Sequence, residues 1–171
     1  MDYYYLFLMA LMIPISIFTL IAGIGGAPSV PCPKKIARKM VEAADIEKGR
    51  IYFDLGSGDG RILREISQKG GQAIGFEYAP LTYLISKLFL LFGKDNNAKI
   101  HWKNFYKEDL SRAKGIFCFL SPNAMNRLSF KFEKELEKGT KVISYVFKIP
   151  NKKITETIKI ENVGPIYVYN Y

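Results

Sequence analysis

The chain has 171 residues, 49% of them apolar, and a formal net charge of +9 at pH 7. This length suits one domain with one core, and the two cysteines, Cys32 and Cys118, are too few and too far apart for a disulfide framework or a clustered metal site. His101 is the only histidine, so a histidine triad or a histidine-rich metal site lacks a second member. The positive charge suits nucleic acid, acidic protein or anionic lipid, and a lysine-rich soluble surface explains it equally well.

An uncharged, mostly apolar run extends from Tyr3 to Ile24. A bilayer core needs about 20 such residues, so this run predicts a transmembrane anchor over residues 1–24. A cleaved signal peptide is the alternative, but it would begin with basic residues, and this chain begins with Asp2 after the initial methionine. The basic cluster Lys34–Lys39 follows the run, so the positive-inside rule predicts a single-pass membrane protein with its folded domain in the cytoplasm. The Pro- and Gly-rich residues 25–33 predict a linker.

Residues 34–171 are predicted to form one α/β domain, and its central stretch begins at Ile51. Residues 51–55 are apolar apart from Asp54 and predict a buried parallel strand. Glycines at every second position from Gly56 to Gly60 then allow a tight turn, where a ligand lies against bare backbone. Helical spacing of apolar residues after Arg61 predicts a helix that packs back on the strand. Strand, glycine loop and helix together predict the nucleotide-binding corner of a doubly wound sheet.

The glycine loop does not fit the known phosphate-binding motifs. Arg61 stands where G-x-G-x-x-G needs a small residue, and the chain has no P-loop sequence. Asp54 precedes the loop, and Glu77 ends the next predicted strand, at the separation where an acid accepts hydrogen bonds from ribose hydroxyls. Acids beside the loop repel a pyrophosphate and favour a cation such as S-adenosylmethionine, which has no phosphate. The alternative is a glycine turn without a ligand. The predicted cofactor-binding residues of this corner are Asp54, Gly56, Ser57, Gly58 and Glu77.

The predicted helix from Leu81 to Phe92 is apolar on nearly every side. One set of its side chains is expected to pack on the sheet, namely Leu81, Leu84, Ile85, Leu88 and Phe92. A second set is left over for a membrane or a membrane partner, namely Tyr83, Phe89, Leu90 and Leu91. Burial of this helix on several sides is the alternative.

The remaining strands place two more groups of candidate residues. Residues 99–103 predict a third strand, and we expect Asn104 and Phe105 at its end to contact the adenine ring, with a plain core position as the alternative for Phe105. Residues 115–120 predict a buried fourth strand, which brings Ser121 to the active-site edge of the sheet, although Ser121 is also a good N-cap. A fifth strand at 141–147 and an antiparallel pair at 154–160 and 166–169 complete a mostly parallel, seven-stranded sheet.

Several stretches together carry a resemblance to known enzymes. The D-x-G-x-G-x-G pattern from Asp54 and the distant Glu77 resemble the first motifs of the class I, seven-β-strand methyltransferases. The more specific match is to the protein-lysine methyltransferases that act on the mitochondrial adenine nucleotide translocase and the ATP synthase c subunit, and to small archaeal lysine methyltransferases. It runs from about residue 27 to the C-terminus. It is carried by A-P-S-V-P at 27–31, Y-F-D-L-G-S-G-D-G-R-I at 52–62, G-F-E at 75–77, F-L-S-P at 119–122 and L-E-K-G-T-K-V-I-S at 136–144.

This resemblance implies a Rossmann-like fold and methyl transfer from S-adenosylmethionine to a protein lysine at or near a membrane, with no nucleic acid and no metal. It implies that Leu120, Ser121 and Asn123 line the transfer site, although Ser121-Pro122-Asn123 departs from the N-P-P-Y type motif of other amine methyltransferases. The unusually apolar helix after Glu77 departs from the soluble archaeal relatives. Methylation of a lipid, quinone or other small membrane molecule, methylation of RNA, and a non-catalytic cofactor-binding module are the alternatives.

Overall fold

Seven strands form the sheet at the centre of the computed structural model, which describes residues 3–25, 31–93 and 96–171. The strands are β1 (Ile51–Leu55), β2 (Gln72–Glu77), β3 (Ala98–Trp102), β4 (Gly115–Cys118), β5 (Lys141–Tyr145), β6 (Glu156–Ile158) and β7 (Ile166–Asn170). They lie in the order β3-β2-β1-β4-β5-β7-β6, and every neighbouring pair is parallel except the two that include β7. This order confirms the predicted mostly parallel sheet with an antiparallel C-terminal pair.

Helices cover both faces of this sheet. The described residues contain α1 (Tyr3–Gly25), α2 (Lys34–Ala43), α3 (Arg61–Gln68), α4 (Pro80–Phe92) and α5 (Pro122–Glu135), and a short 3₁₀ turn at Phe105–Lys107. The core between the sheet and α2, α3 and α4 contains Ile36, Met40, Leu63, Ile66 and Leu90. The core on the α5 side contains Met125, Leu128 and Phe132. The sheet is therefore doubly wound, as predicted.

Strand β1 positions the candidate site because it lies between β2 and β4, where the strand order reverses. Its side chains alternate between the two cores, with Tyr52 in one and Phe53 in the other. Both side chains are almost fully buried, and each contributes about 1.5–3 kcal/mol of hydrophobic stabilisation. Ligands of open α/β sheets bind in the crevice outside the carboxyl end of the strands at such a reversal, so Asp54 and Leu55 lead directly into the expected site.

Strands β4, β5 and β6 each end two residues before the predicted end, and the ends of β3 and β7 differ from the prediction by one residue. Strand β4 ends at Cys118, two residues before the predicted end at Leu120. Strand β5 ends at Tyr145, because Val146 has a φ of 69°, which takes the backbone out of the extended conformation. Strand β6 covers only Glu156–Ile158, since it pairs on one side alone at the edge of the sheet.

The predicted orientation of α4 was wrong. The side chains that were expected to pack on the sheet are exposed, and the buried positions are Ser86 and Leu90. A Cβ built on Gly60 would lie 2.6 Å from the Ser86 hydroxyl oxygen and 3.6 Å from a Leu90 methyl carbon, so α4 rests closely on the glycine loop at these two residues. A small side chain opposite a glycine allows this close approach. Helix α4 therefore packs on the protein through Ser86 and Leu90 rather than through its more apolar side.

Helix α1 covers the apolar run at the N-terminus, and the side chains described in it extend from Tyr3 to Ile17 and include Leu20. Within residues 3–25, 31–93 and 96–171, no helix combines the length and the apolar character needed to cross a membrane. The predicted transmembrane anchor is therefore not confirmed. Most of the predicted linker, at 26–30, lies outside the described residues, so the division into anchor, linker and domain stays a prediction.

Candidate active site

The glycine loop between β1 and α3 is held in a conformation that side chains rarely adopt. Gly56 and Gly60 have φ values of 75° and 80°. A Cβ on Gly56 would lie 3.0 Å from a methyl carbon of Leu120, and Gly60 faces Ser86 of α4. The loop therefore lies closely between Leu120, which follows β4, and Ser86 of α4, and glycine is needed at both positions.

The backbone N–H groups of the loop are engaged by acceptors within the protein. Gly56 and Ser57 both donate to the carbonyl oxygen of Phe76, at 2.9 and 3.1 Å. Gly58 donates to Oε2 of Glu77 at 3.0 Å. A phosphate-binding loop directs such N–H groups at the ligand, whereas these are turned toward β2. This arrangement supports the prediction that the loop does not bind a pyrophosphate.

Three carboxylates surround the carboxyl end of β1. Asp54 is only 3% exposed, and its burial, together with the negative charges of Glu77 and Asp59, raises its pKa to about 8. A buried acid beside two others favours a cation as its ligand, because a positive charge relieves both the repulsion and the loss of hydration. Asp54 and Glu77 therefore lie together as the sequence predicted.

Glu77 is fixed at the end of β2 by the backbone around it. Its Oε1 atom accepts hydrogen bonds from the N–H groups of Tyr78 and Ala79, both at 2.8 Å, and its Oε2 atom accepts from Gly58. An ionised carboxylate offers about four acceptor positions, and three of them are used here. The carboxylate is therefore oriented in advance and keeps capacity for a hydroxyl donor such as a ribose.

Asp59 and Arg61 form a second feature of the site, which the sequence patterns did not predict. The Arg61 Nε atom donates to the two carboxylate oxygens of Asp59 at 2.8 and 3.1 Å, and Nη2 contacts the same carboxylate. The Nη1 atom donates to the backbone carbonyl oxygen of Cys32, which lies just before α2. Burial alone would raise the pKa of Asp59, but the hydrogen bonds from Arg61 lower it overall. Asp59 therefore stays ionised and paired.

The other predicted cofactor residues lie around the loop and after β3. The hydroxyl of Ser57 is buried beside Gly75 of β2 and finds no hydrogen-bond partner among the described residues. Asn104 Oδ1 accepts from the N–H of Tyr106 at 3.0 Å and so caps the 3₁₀ turn. Phe105 is buried in the α5-side core, which agrees with the plain core alternative. Contacts of Ser57, Asn104 and Phe105 with a cofactor stay predictions.

The residues predicted to line the transfer site follow β4. Leu120 is buried and touches the loop at Gly56, so it lies between the cofactor corner and α5. The hydroxyl oxygen of Ser121 accepts from the N–H of Ala124 at 3.4 Å, which confirms its role as the N-cap of α5. Asn123 is exposed in the first turn of α5. A catalytic role for Leu120, Ser121 and Asn123 stays a prediction.

These residues suit S-adenosylmethionine. Its sulfonium and ammonium charges match the buried acid Asp54, its ribose matches Glu77, and its lack of phosphate matches a loop whose amides are already engaged. Asp54, Glu77 and the glycine loop would hold the cofactor, which supplies an electrophilic methyl group when bound.

Proteins similar to this chain include named methyltransferases. A family model described as the ANTKMT methyltransferase domain matches residues 54–156. A protein-lysine N-methyltransferase of Saccharolobus islandicus is 33% identical over 149 residues, which cover 83% of this chain and 92% of that relative. The human lysine N-methyltransferase of the ATP synthase c subunit is 31% identical over 144 residues, which cover 84% of this chain and 61% of the human protein.

Among solved structures, the chain resembles an RNA methyltransferase from Salinibacter ruber crystallised with S-adenosyl-L-homocysteine. The two share 27% sequence identity with a TM-score of 0.77, and the match covers 82% of this chain and 93% of that one. Asp54 and Glu77 are called the acid pocket below. Together with the family model, the sheet order and this acid pocket, these similarities establish the class of the protein. The chain belongs to the ANTKMT methyltransferase domain family and is an S-adenosylmethionine-dependent methyltransferase.

Proposed function

We propose that this enzyme methylates the side chain of a lysine in a protein substrate that lies in or at a membrane. The observation that carries the proposal is the acid pocket of Asp54 and Glu77 within a chain whose curated relatives are named as protein-lysine methyltransferases. Two of those relatives are named for the ATP synthase c subunit and for the adenine nucleotide translocase. Their names support a lysine substrate for this chain.

The chain's own residues account for the main requirements of the reaction. Methyl transfer from a sulfonium is an in-line displacement, so the protein must align the donor and the amine and exclude water. Glu77 and the glycine loop orient the donor, and Asp54 offsets its positive charge. The substrate lysine has a free pKa of about 10.4 and must reach the methyl group as a neutral amine. An apolar approach beside Leu120, together with the nearby sulfonium, favours that neutral form.

We also propose that the enzyme works on the membrane surface through α1 and α4. Helix α1 contacts α4, and both helices carry exposed apolar side chains. On α4, the large apolar residues that are at least half exposed are Leu81, Leu84, Leu88, Phe89, Leu91 and Phe92. An exposed apolar area of this kind marks a membrane or protein contact. This proposal requires contact with the bilayer and not a span across it.

Charged and aromatic side chains on and beside α4 favour lipid as the partner of this exposed apolar area. Trp102 is stacked on Tyr83 of α4 with ring centroids 6.3 Å apart, and Lys87 lies over the Tyr83 ring. Tryptophan and tyrosine prefer the membrane interface, and a lysine there extends its charge to the headgroups. The net charge of +9 suits the anionic cytoplasmic leaflet. A cytoplasmic location of the domain is part of this proposal.

The membrane contact can be tested with the single tryptophan of the chain. The full chain is bound to anionic vesicles that contain brominated lipid, and Trp102 fluorescence is recorded. Bromine quenches a tryptophan at the acyl-chain boundary, so we expect clear quenching and a weaker effect in the Leu88→Ser, Phe89→Ser double variant. The matched control is Phe130→Ser, since Phe130 is an exposed aromatic side chain on α5, away from α4. Unquenched fluorescence from vesicle-bound protein would show that α4 does not lie on the bilayer.

The substrate class is tested with tritiated S-adenosylmethionine and isolated membranes. Label in acid-insoluble protein that maps to lysine after digestion supports the proposal. Label in the organic extract would instead indicate a lipid or quinone substrate. Cofactor binding without transferred label would indicate a non-catalytic module. The Asp54→Asn variant serves as the control, because its pocket has lost the charge that favours the cationic donor.

RNA is the second candidate substrate. The similar solved structure from Salinibacter ruber is described as an RNA methyltransferase, and the positive net charge of this chain suits a phosphate backbone. The same labelling experiment, repeated with total RNA in place of membranes, distinguishes the two candidates. Label that is sensitive to ribonuclease and resistant to protease would replace the lysine proposal.

A further inference from the structure

The segment that leads into α2 is tied to the cofactor loop by a single arginine. Arg61 is the first residue of α3, and Asp59, two residues earlier, holds its guanidinium through Nε and Nη2. The remaining terminal nitrogen, Nη1, is thereby aimed at the carbonyl oxygen of Cys32. A guanidinium has donors on three nitrogens in one plane, so it can bind both partners at once.

Cys32 brings this segment close to the acid pocket. Its side chain is only 7% exposed and packs in the core between the sheet and α2 and α3. Burial and the nearby charge of Asp54 raise the pKa of its thiol to about 12. Because Arg61 begins the helix that follows the glycine loop, its hydrogen bond to Cys32 places this segment beside the loop, where the cofactor's charged end is expected.

We propose that the Asp59–Arg61 pair is a latch that holds residues 31–33 closed against the acid pocket, and that Arg61 is a positioning residue for methyl transfer. In the closed arrangement, the segment excludes water beside Asp54 and limits escape of bound S-adenosylmethionine. Arg61 acts through the segment it holds. This inference depends on cofactor binding and not on the lysine substrate, so it can fail while the proposed function stands.

The latch also explains why two acids near each other have different environments. Asp59 is satisfied by Arg61, so it stays ionised and is not available to a ligand cation. Asp54, to which the described part of the chain supplies no such cationic partner within hydrogen-bonding distance, remains to receive the positive charge of the donor. The Asp59–Arg61 pair therefore holds residues 31–33 in place and leaves Asp54 as the acid that binds the cationic cofactor.

The test uses Arg61→Lys in the full chain. A lysine keeps the positive charge beside Asp59, but its single ammonium cannot reproduce the simultaneous contacts of the guanidinium with Asp59 and with the Cys32 carbonyl. The matched control is Arg38→Lys, because Arg38 forms an ion pair with Glu65 at 3.1 Å that also joins α2 to α3, away from the pocket. The first measurement is the rate at which N-ethylmaleimide labels Cys32, and Cys118 on β4 reports global unfolding because it is fully buried.

We expect Arg61→Lys to label Cys32 at least tenfold faster than the wild type, with Cys118 unlabelled, and Arg38→Lys to match the wild type. Bound S-adenosylmethionine should slow Cys32 labelling in the wild type and much less in Arg61→Lys. The variant should also show a cofactor KM raised about tenfold, with kcat at saturating cofactor lowered less. The Asp59→Asn variant should behave in the same way, and the double variant should add little, since both substitutions open one latch.

Wild-type labelling and cofactor binding in Arg61→Lys and Asp59→Asn would overturn the proposal. If Cys118 is labelled together with Cys32 in both variants, the pair stabilises the whole fold and the latch is likewise rejected. If only Arg61→Lys unfolds, the test rests on Asp59→Asn. Faster labelling of Cys32 with Cys118 unlabelled in that variant supports the latch, and a wild-type rate rejects it.

Discussion

Asp54 should make cofactor binding depend on pH in a defined direction. Its carboxyl has a pKa of about 8 in the free protein, because it is buried beside Glu77 and Asp59, so it is mostly protonated below that pH. A bound sulfonium and ammonium favour the ionised form and lower this pKa. Binding of S-adenosylmethionine then releases a proton, and affinity rises as the pH rises toward 8.

The size of the effect follows from the pKa. If the bound cofactor keeps Asp54 ionised down to pH 5.5, the association constant should rise by about 80-fold, or roughly 2.6 kcal/mol, between pH 5.5 and 7.5. We limit the pH range to 7.5 because the α-amino group of S-adenosylmethionine loses its own proton at about pH 8. The stability of the free protein should change in the opposite sense. The raised pKa of Asp54 contributes folding stability that is fully present below the pKa of the unfolded state. This stability is lost as the pH rises through the folded-state pKa of about 8.

Titration calorimetry in two buffers with different heats of ionisation measures both affinity and proton release. Asp54→Asn removes the titrating group, so it should bind S-adenosylmethionine more weakly at pH 7.5 and lose the pH dependence between 5.5 and 7.5. The same slope in wild type and Asp54→Asn would show that the released proton comes from another group and not from Asp54.

Three further predictions concern the residues that shape the loop. Gly60→Ala should cost about 1–3 kcal/mol, because alanine is strained at a φ of 80° and its Cβ would lie 2.6 Å from the Ser86 hydroxyl; adding Ser86→Gly should recover part of the loss in urea unfolding. Glu77→Gln should lower stability by about 1–3 kcal/mol and weaken cofactor binding, because the side-chain NH₂ group would face a backbone N–H; unchanged melting would contradict the observed hydrogen bonds. Leu120→Ala should cost about 2–5 kcal/mol through the cavity it leaves, and denaturant unfolding that shows no loss would mean that this side chain does not support the loop.

The central corner could be predicted because its signals are local. An apolar run, alternating glycines and helical spacing lie within residues 51–66, and each fixes backbone geometry by its own chemistry. Glu77 followed from strand length and spacing, since the carboxyl ends of neighbouring parallel strands meet at one edge. The doubly wound, mostly parallel sheet followed from the alternation of strands and helices together with the resemblance.

Two features of the site were not predictable from patterns. The side of α4 that faces the protein is set by the contact of Ser86 with Gly60, and hydrophobicity alone cannot identify it when most positions are apolar. The latch joins Arg61 to a backbone carbonyl at Cys32, and no side-chain pattern marks a carbonyl as a partner. The D-G-R sequence at 59–61 was the available signal, because an acid and an arginine two residues apart at a helix start are well placed to pair.

We expect the acid pocket of Asp54 and Glu77 to bind a cationic adenosyl donor and not a phosphate-bearing nucleotide. Equilibrium dialysis of the full chain with tritiated S-adenosylmethionine, with NAD⁺ or ATP as competitors, tests it most directly. We expect saturable binding that S-adenosylhomocysteine displaces and that neither nucleotide displaces at a hundredfold excess. Binding that NAD⁺ or ATP displaces, or no binding of the labelled donor to folded protein, would contradict it.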